Sequence, residues 1–291
     1  YSNTADSNTA IGSFSQYPNT SGTQNTSLGN SAMRFNTTGS FNTSVGSSAL
    51  YSNTTASANT AIGFQAGYTN TTGTRNAYLG YYAGQANSTS SDNTGIGVNA
   101  IYTNTTGLKN TALGGDALFS NTTASNNSAL GFNALYTNTT GTKNVSIGNS
   151  LYSNTTGQNN VAIGYQAGNA VTTVEGIVAI GHQSQLSTDG QYNTSVGYLS
   201  LSTGTGGERN TAVGSSALKS GGANVGATAV GYNAAINCTS GVPTAIGYYA
   251  LMNLTTGGGN TAVGVAYSGY LQANTALNLA NAAFAVANAA G

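Results

Sequence analysis

The chain has 291 residues, of which only 4% are charged, six basic against six acidic. Nucleic-acid binding needs clustered cations; Arg34, Arg75, Lys109, Lys143, Arg209 and Lys219 are scattered, which excludes it. The single cysteine, Cys238, excludes an intrachain disulfide, and no apolar run is long enough to span a membrane.

Residues 1–7 read as the end of a preceding coil, because Tyr1-Ser2-Asn3-Thr4 matches Tyr51-Ser52-Asn53-Thr54 in the middle of a later repeat. The expectation is a processed product or a piece of a longer polypeptide. From Asn8 one phrase recurs every sixteen or seventeen residues, in sixteen copies. It runs Asn-Thr-Ala-aliphatic-Gly, two free positions, Ala-Leu or Ala-Gly, then Asn-Thr-Thr-Gly. A short period kept this long means stacked identical units, with function on a long regular surface. Low charge with much Gly, Ser, Thr and Asn also suits disorder, but a disordered tract has no reason to hold its aliphatic residues in register.

We number each repeat from its first Asn. Position 4 is aliphatic throughout: Ile11, Leu28, Val45, Ile62, Leu79, Ile96, Leu113, Leu130, Ile147, Ile163, Ile180, Val196, Val213, Val230, Ile246 and Val263. Positions 2 and 4 share one face of a strand. They are expected to point inward as the structural core, so that Ile96→Asp would bury a charge. Position 3, usually Ala or Ser, faces the other way and is small enough for close approach by another chain. Position 5 is always Gly, as in Gly12, Gly29, Gly46, Gly63, Gly80, Gly97, Gly114 and Gly131. These glycines are expected at coil corners with positive φ. Positions 7 to 9 read as a second short strand, and Asn-Thr-Thr-Gly as the return turn.

Gly, Asn and Thr are weak helix formers. The fold class is therefore all-β, a parallel β-solenoid (β-roll) of about sixteen coils, roughly 75 Å long at about 4.8 Å per coil. Stacking would make asparagine ladders at position 1 (Asn8, Asn25, Asn42 onward) and position 12 (Asn19, Asn36, Asn53 onward). Position 10 would give an aromatic ladder of Tyr17, Tyr51, Tyr68, Tyr102, Phe119 and Tyr136, a candidate contact surface.

Residues 8–159 form the regular solenoid block. In 160–264 the return turn becomes irregular and Gly-rich, as in Thr203-Gly204-Thr205-Gly206-Gly207. Residues 265–291 read as a short Ala-rich, helical cap or the start of a coiled-coil stalk. There Leu277, Ala280, Phe284 and Ala287 follow a 3-4-3 spacing and form a candidate oligomer seam.

Asn160-Val161-Ala162-Ile163-Gly164 and Val178-Ala179-Ile180-Gly181 resemble the Val-Ala-Ile-Gly repeat of YadA-like heads in trimeric autotransporter adhesins and related bacterial and phage fibre proteins. The resemblance covers about residues 8 to 264; the return turn lengthens the coil relative to that family. It implies a left-handed β-roll and a homotrimer of chains packed side by side, with position 3 at the interchain contact. Tyr78, at position 3 of one coil, fits that contact poorly.

No catalytic, cofactor or metal residue is assigned. Glu175 and Asp189 fall in successive coils, as a glycosidase pair would need, but solvated turn residues explain them as well. His182, at position 6 where other coils carry Tyr or Phe, reads as a surface residue rather than a ligand, since a metal site needs convergent ligands. The Asn-x-Ser/Thr motifs are glycan acceptors or by-products of the repeat. The Thr37-Thr38 to Thr155-Thr156 array allows an ice-binding reading, and exposed Tyr a polysaccharide-binding one. The chain is expected to be a non-enzymatic structural and adhesive rod of an extracellular or cell-surface fibre, or of a virion fibre. Its partners would be copies of itself and a glycan or surface receptor. The alternative is a filament subunit stacking end to end.

Overall fold

The structure, a computed structural model, describes residues 5–187, 189–204, 206–221 and 224–265. The cap or stalk with Leu277, Ala280, Phe284 and Ala287 lies outside the described residues. The fold is an all-β parallel solenoid, and the chain divides into two compact units, 1–177 and 178–291. In the first unit the strands are β1 (Thr9–Ile11), β2 (Thr26–Leu28), β3 (Thr43–Val45), β4 (Thr60–Ile62), β5 (Ala77–Leu79), β6 (Thr94–Ile96), β7 (Thr111–Leu113), β8 (Ser128–Leu130), β9 (Val145–Ile147) and β10 (Val161–Ile163). In the second they are β11 (Val178–Ile180), β12 (Thr194–Val196), β13 (Thr211–Val213), β14 (Thr228–Val230), β15 (Thr244–Ile246) and β16 (Thr261–Val263). Within each unit successive strands pair in parallel, like position on like position: Thr43 beside Thr60, Ser44 beside Ala61, Val45 beside Ile62.

Each strand has three residues, at positions 2 to 4, and among the described residues no second strand forms at 7 to 9. Positions 7, 9 and 17 instead adopt left-handed backbone, for example Asn133 (φ 55), Leu135 (φ 52) and Lys143 (φ 58). A run of extended residues cannot contain such corners, which is why the expected strand is absent. The turning segments still bond from coil to coil. The Ser31 N–H donates to Ser13 O (2.8 Å), that of Met33 to Ala49 O (2.8 Å), and that of Thr37 to Thr54 O (2.8 Å). Backbone polar groups are thus paired around most of the circumference, as burial requires.

The glycine corner behaves as expected, with φ between 125° and 144° from Gly12 to Gly131. A Cβ on Gly63 would also overlap the carbonyl oxygen of Gly80 in the next coil. Both backbone angle and space therefore require glycine there.

The inside–outside assignment of the strands is the reverse of the expectation. From β2 onward every strand of the first unit buries its middle residue and leaves the two flanking ones exposed or half-buried. Position 3 is interior and positions 2 and 4 face outward. Ile11, Leu28, Ile62, Leu79, Leu113, Leu130, Ile147, Ile246 and Val263 are exposed. Val45, Ile96, Ile163, Ile180, Val196, Val213 and Val230 are half-buried. None of these is the core. The coil is too narrow for two large columns on opposing walls. Its apolar filling is mostly small at positions 3 and 8 (Ala112, Ala117) and mostly large at position 9 (Leu50, Ile101, Leu118, Leu135, Leu151), these being fully buried. Left-handed backbone costs an ordinary residue about 1 kcal/mol, and burying a leucine returns about 2 kcal/mol. Position 9 can therefore carry leucine at an unfavourable φ.

Tyr78 is the test of this packing. It sits at position 3, inside, only 1% exposed. Room comes from glycine at position 9 of its own and the preceding coil, Gly84 and Gly67, and at position 3 of the next, Gly95. A Cβ on Gly67 would stand 3.0 Å from Tyr78 Cδ2, and one on Gly84 would overlap the ring. Tyr78 is therefore a core plug, and position 3 is not available for contact with another chain.

The other interior wall is amide. From Asn36 to Asn154, each position 12 Nδ2 donates to Oδ1 of the asparagine one coil earlier, at 2.8–3.2 Å. At position 1 the Oδ1 accepts the backbone N–H of the next coil's asparagine, as from Asn42 to Asn25 (2.9 Å). The two columns converge on one carbonyl per coil: Gly39 O accepts from both Asn25 and Asn36. These ladders are fully buried and supply partners that an apolar wall would lack.

Candidate functional surface

The outward columns give the solenoid its most distinctive surface. Position 4 places one aliphatic side chain per coil on the outer sheet face: Leu28 is 45% exposed, Leu79 45%, Leu113 40% and Leu130 44%. Position 2 flanks it with Thr, Ala, Ser or Val. Beyond the glycine corner, position 6 adds exposed Phe64, Tyr81, Val98, Phe132 and Tyr165 in the first unit, and Tyr198, Tyr232 and Tyr248 in the second. Some of these rings stack between neighbouring coils, Phe64 on Tyr81 at 5.4 Å and Tyr232 on Tyr248 at 5.3 Å. This column was not among the sequence-derived sites, although an aromatic recurring just after the invariant glycine is its signal. No Lys, Arg, Asp or Glu occupies positions 2, 4 or 6. Position 4 is thus an exposed to half-buried aliphatic column in each unit, bordered mostly by Thr at position 2 and by intermittent aromatics at position 6, and such a column is uncommon on an isolated protein.

The position 10 ladder lies on another side of the coil and is discontinuous. Tyr51 stacks on Tyr68 (4.9 Å, 7°). After the break at Gln85, Tyr102, Phe119, Tyr136 and Tyr152 form a continuous pile at 5.1–5.2 Å, within 8° of parallel. Ring faces in that pile cover one another, leaving edges and hydroxyls for solvent. A sugar ring stacks on an aromatic face, so this geometry suits sealing of the coil better than carbohydrate stacking. Tyr17 is separated from the ladder by Arg34, whose guanidinium lies 4.8 Å above the Phe14 ring and 5.4 Å from that of Phe35.

The return turn separates two threonine columns. Position 13 hydroxyls are used internally: Thr37 donates to Thr54 O (3.0 Å) and Thr105 to Thr122 O (3.1 Å). Position 14 threonines such as Thr38, Thr55 and Thr106 are exposed. The array considered for ice is thus half committed to the fold.

The titratable groups do not form a centre. Glu175 accepts from Asn159 Nδ2 (3.0 Å), and Asp189 is exposed. Exposed His182 stacks on Tyr198 at 5.4 Å. Cys238 is buried at position 12 against Asn224, and burial pushes its thiol up from the ordinary value. Arg75 pairs with Asp92 (2.6 Å) and holds that carboxyl below the usual range. Burial pushes the Tyr78 phenol up, with Asn93 pulling against it. Among the described residues no three His, Cys, Asp or Glu side chains gather as a metal site, and no helix is long and apolar enough to cross a membrane.

Comparison of the chain with protein-family models, with curated proteins and with solved structures finds no match.

Proposed function

We propose that this chain is a structural and adhesive solenoid of an extracellular fibre, built by side-by-side association of copies of itself. The outer strip at positions 2, 4 and 6 carries this reading. Its position 4 column is aliphatic in every coil, exposed aromatics flank it in several, no Lys, Arg, Asp or Glu interrupts it, and it repeats at the strand spacing. A second copy presents the same columns at the same spacing, so each coil meets an equivalent coil. Covering the exposed half of one aliphatic side chain is worth about 1 kcal/mol. Ten coils would give about 10 kcal/mol from position 4 alone, comparable with the roughly 4–15 kcal/mol that association costs; the flanking aromatics add to it. The resemblance of the repeat to YadA-like heads favours three copies. The contact residues in this reading are Leu28, Leu79, Leu113 and Leu130 and their counterparts, in place of position 3.

Light scattering on the parent and on a Leu113→Lys/Leu130→Lys variant tests the reading. The parent should be oligomeric. The variant should dissociate while keeping its β-sheet circular dichroism. A parent that stays monomeric at micromolar concentration overturns the assembly reading. Adhesion is tested separately, by binding of the assembled parent to glycan arrays and cell surfaces.

A further inference from the structure

The repeat writes Asn-x-Ser/Thr many times, and the structure sorts these copies into two chemical classes. Those on the ladders, such as Asn36, Asn53, Asn104 and Asn138, are 0% exposed. Their Nδ2 hydrogens are spent inside the fold: Asn53 donates to Asn36 Oδ1 (2.9 Å) and Ala56 O (3.0 Å). Outside the ladders the motif stands at Asn126-Asn127-Ser128, Asn237-Cys238-Thr239 and Asn253-Leu254-Thr255, each beginning with an exposed asparagine. None of these three side-chain amides makes an internal hydrogen bond among the described residues; Asn126 bonds through its backbone N–H alone, to Leu108 O (3.0 Å). Asn126 occupies a left-handed corner (φ 62), with its side chain off the coil.

We propose that the folded solenoid accepts N-linked glycan at Asn126, Asn237 and Asn253 and nowhere on the ladders, and that a glycan on a ladder asparagine is incompatible with the fold. In the transfer, the anomeric carbon of an oligosaccharide breaks its bond to a polyprenyl diphosphate and bonds to Nδ2. The diphosphate leaves, and the amide loses one proton. At a ladder position that proton is one of the two holding the coil, and the sugar would have to occupy the filled interior. The loss is doubled because the neighbouring Oδ1 is left without its donor. At Asn126, Asn237 and Asn253 the same step removes no internal bond.

The test is in vitro transfer with a purified oligosaccharyltransferase and a lipid-linked oligosaccharide, read site by site by peptide mass spectrometry. Two substrates are compared, the folded parent and an Ala112→Asp variant shown by circular dichroism to be unfolded. The parent should carry glycan at the three exposed sites only, whereas the unfolded variant should also be modified at Asn53 and Asn104. Glycan on Asn53 or Asn104 of the folded parent overturns the proposal. So does a parent left unmodified at all three exposed sites, and so does an unfolded variant modified at those three alone, since burial would then not be what closes the ladders.

Discussion

The two units build the same coil with different fillings. In the first, asparagine at positions 1 and 12 lines one wall from coil to coil. In the second, position 12 holds Gly204, Gly221, Cys238 and Leu254, and position 1 changes to Ala227 and Pro243. The backbone path survives, with in-register parallel pairing in both units. The amide columns therefore do not dictate the path; they satisfy polar groups along it. The end of the position 12 ladder makes the same point. Its last member, Asn154, has a buried Oδ1 with no donor, because the next coil places Val171 there. Val171, Val174 and Ile177 are all buried, an apolar replacement of the amide wall as a set.

The position 1 column shows how the second unit manages without an acceptor. Asn210 Oδ1 still takes the backbone N–H of Ala227 (2.8 Å). Ala227 has no side-chain oxygen to offer the following coil. The residue that follows at position 1 is Pro243, which has no N–H to satisfy. The two substitutions compensate each other.

The largest expected effect separates interior from exterior within one stretch of chain. Ala112→Asp places a charge in the filled interior and should cost more than about 4 kcal/mol or prevent folding. Ile96→Asp, on the outer face, should change the stability of a dissociated chain by less than about 0.5 kcal/mol. Urea titration measures both. Equal losses would mean that the strand faces are not distinguished as described.

Next is Asn104→Leu, which removes a donor from Asn87 Oδ1 and Gly107 O and the acceptor of Asn121 Nδ2. We expect a loss of about 3 kcal/mol, since three buried partners each lose one hydrogen bond at about 1 kcal/mol apiece. The equivalent change of scale at Cys238→Ala in the second unit should be smaller, about 1 kcal/mol, because no amide column runs through it. Of the same size is Pro243→Asn, which introduces an N–H above Ala227 and should cost about 1 kcal/mol. Adding Ala227→Asn should recover most of that. A double-mutant cycle with no coupling would break the compensation argument.

The smallest effect is confined to alkaline solution. Tyr78 has its phenol raised by burial, and its hydroxyl makes no hydrogen bond of good geometry. Unfolded tyrosine ionises near about pH 10. Above that pH the unfolded chain releases a proton that the folded chain retains, so stability falls as pH rises. Tyr78→Phe should leave neutral-pH stability nearly unchanged and flatten the alkaline limb of the melting curve.

Much of this architecture is legible in the sequence. The three-residue strands, the glycine corner and both amide ladders follow from the period and from the chemistry of Asn and Gly. The strand faces were misassigned because alternation states that positions 2 and 4 lie together, without stating on which side. Attaching the larger residues to the interior assumed a core wider than one coil allows. The correcting signal was in the chain: Tyr78 at position 3 coincides with glycine at Gly67, Gly84 and Gly95. Such volume compensation marks positions 3 and 9 as mutual neighbours inside. Position 9 was missed as a core column because leucine in left-handed backbone violates local preference, and only burial justifies it.

The bonds between coils join residues about one coil apart in sequence, such as Asn36 to Asn53 and Thr37 to Thr54. Loop closure depends only weakly on length, and here the length to be closed is nearly constant from one coil to the next. A growing chain need not wait for a distant segment to be made. Each newly synthesised coil finds its template in the one before it, so folding can advance as a front that moves along the chain at the pace of its emergence.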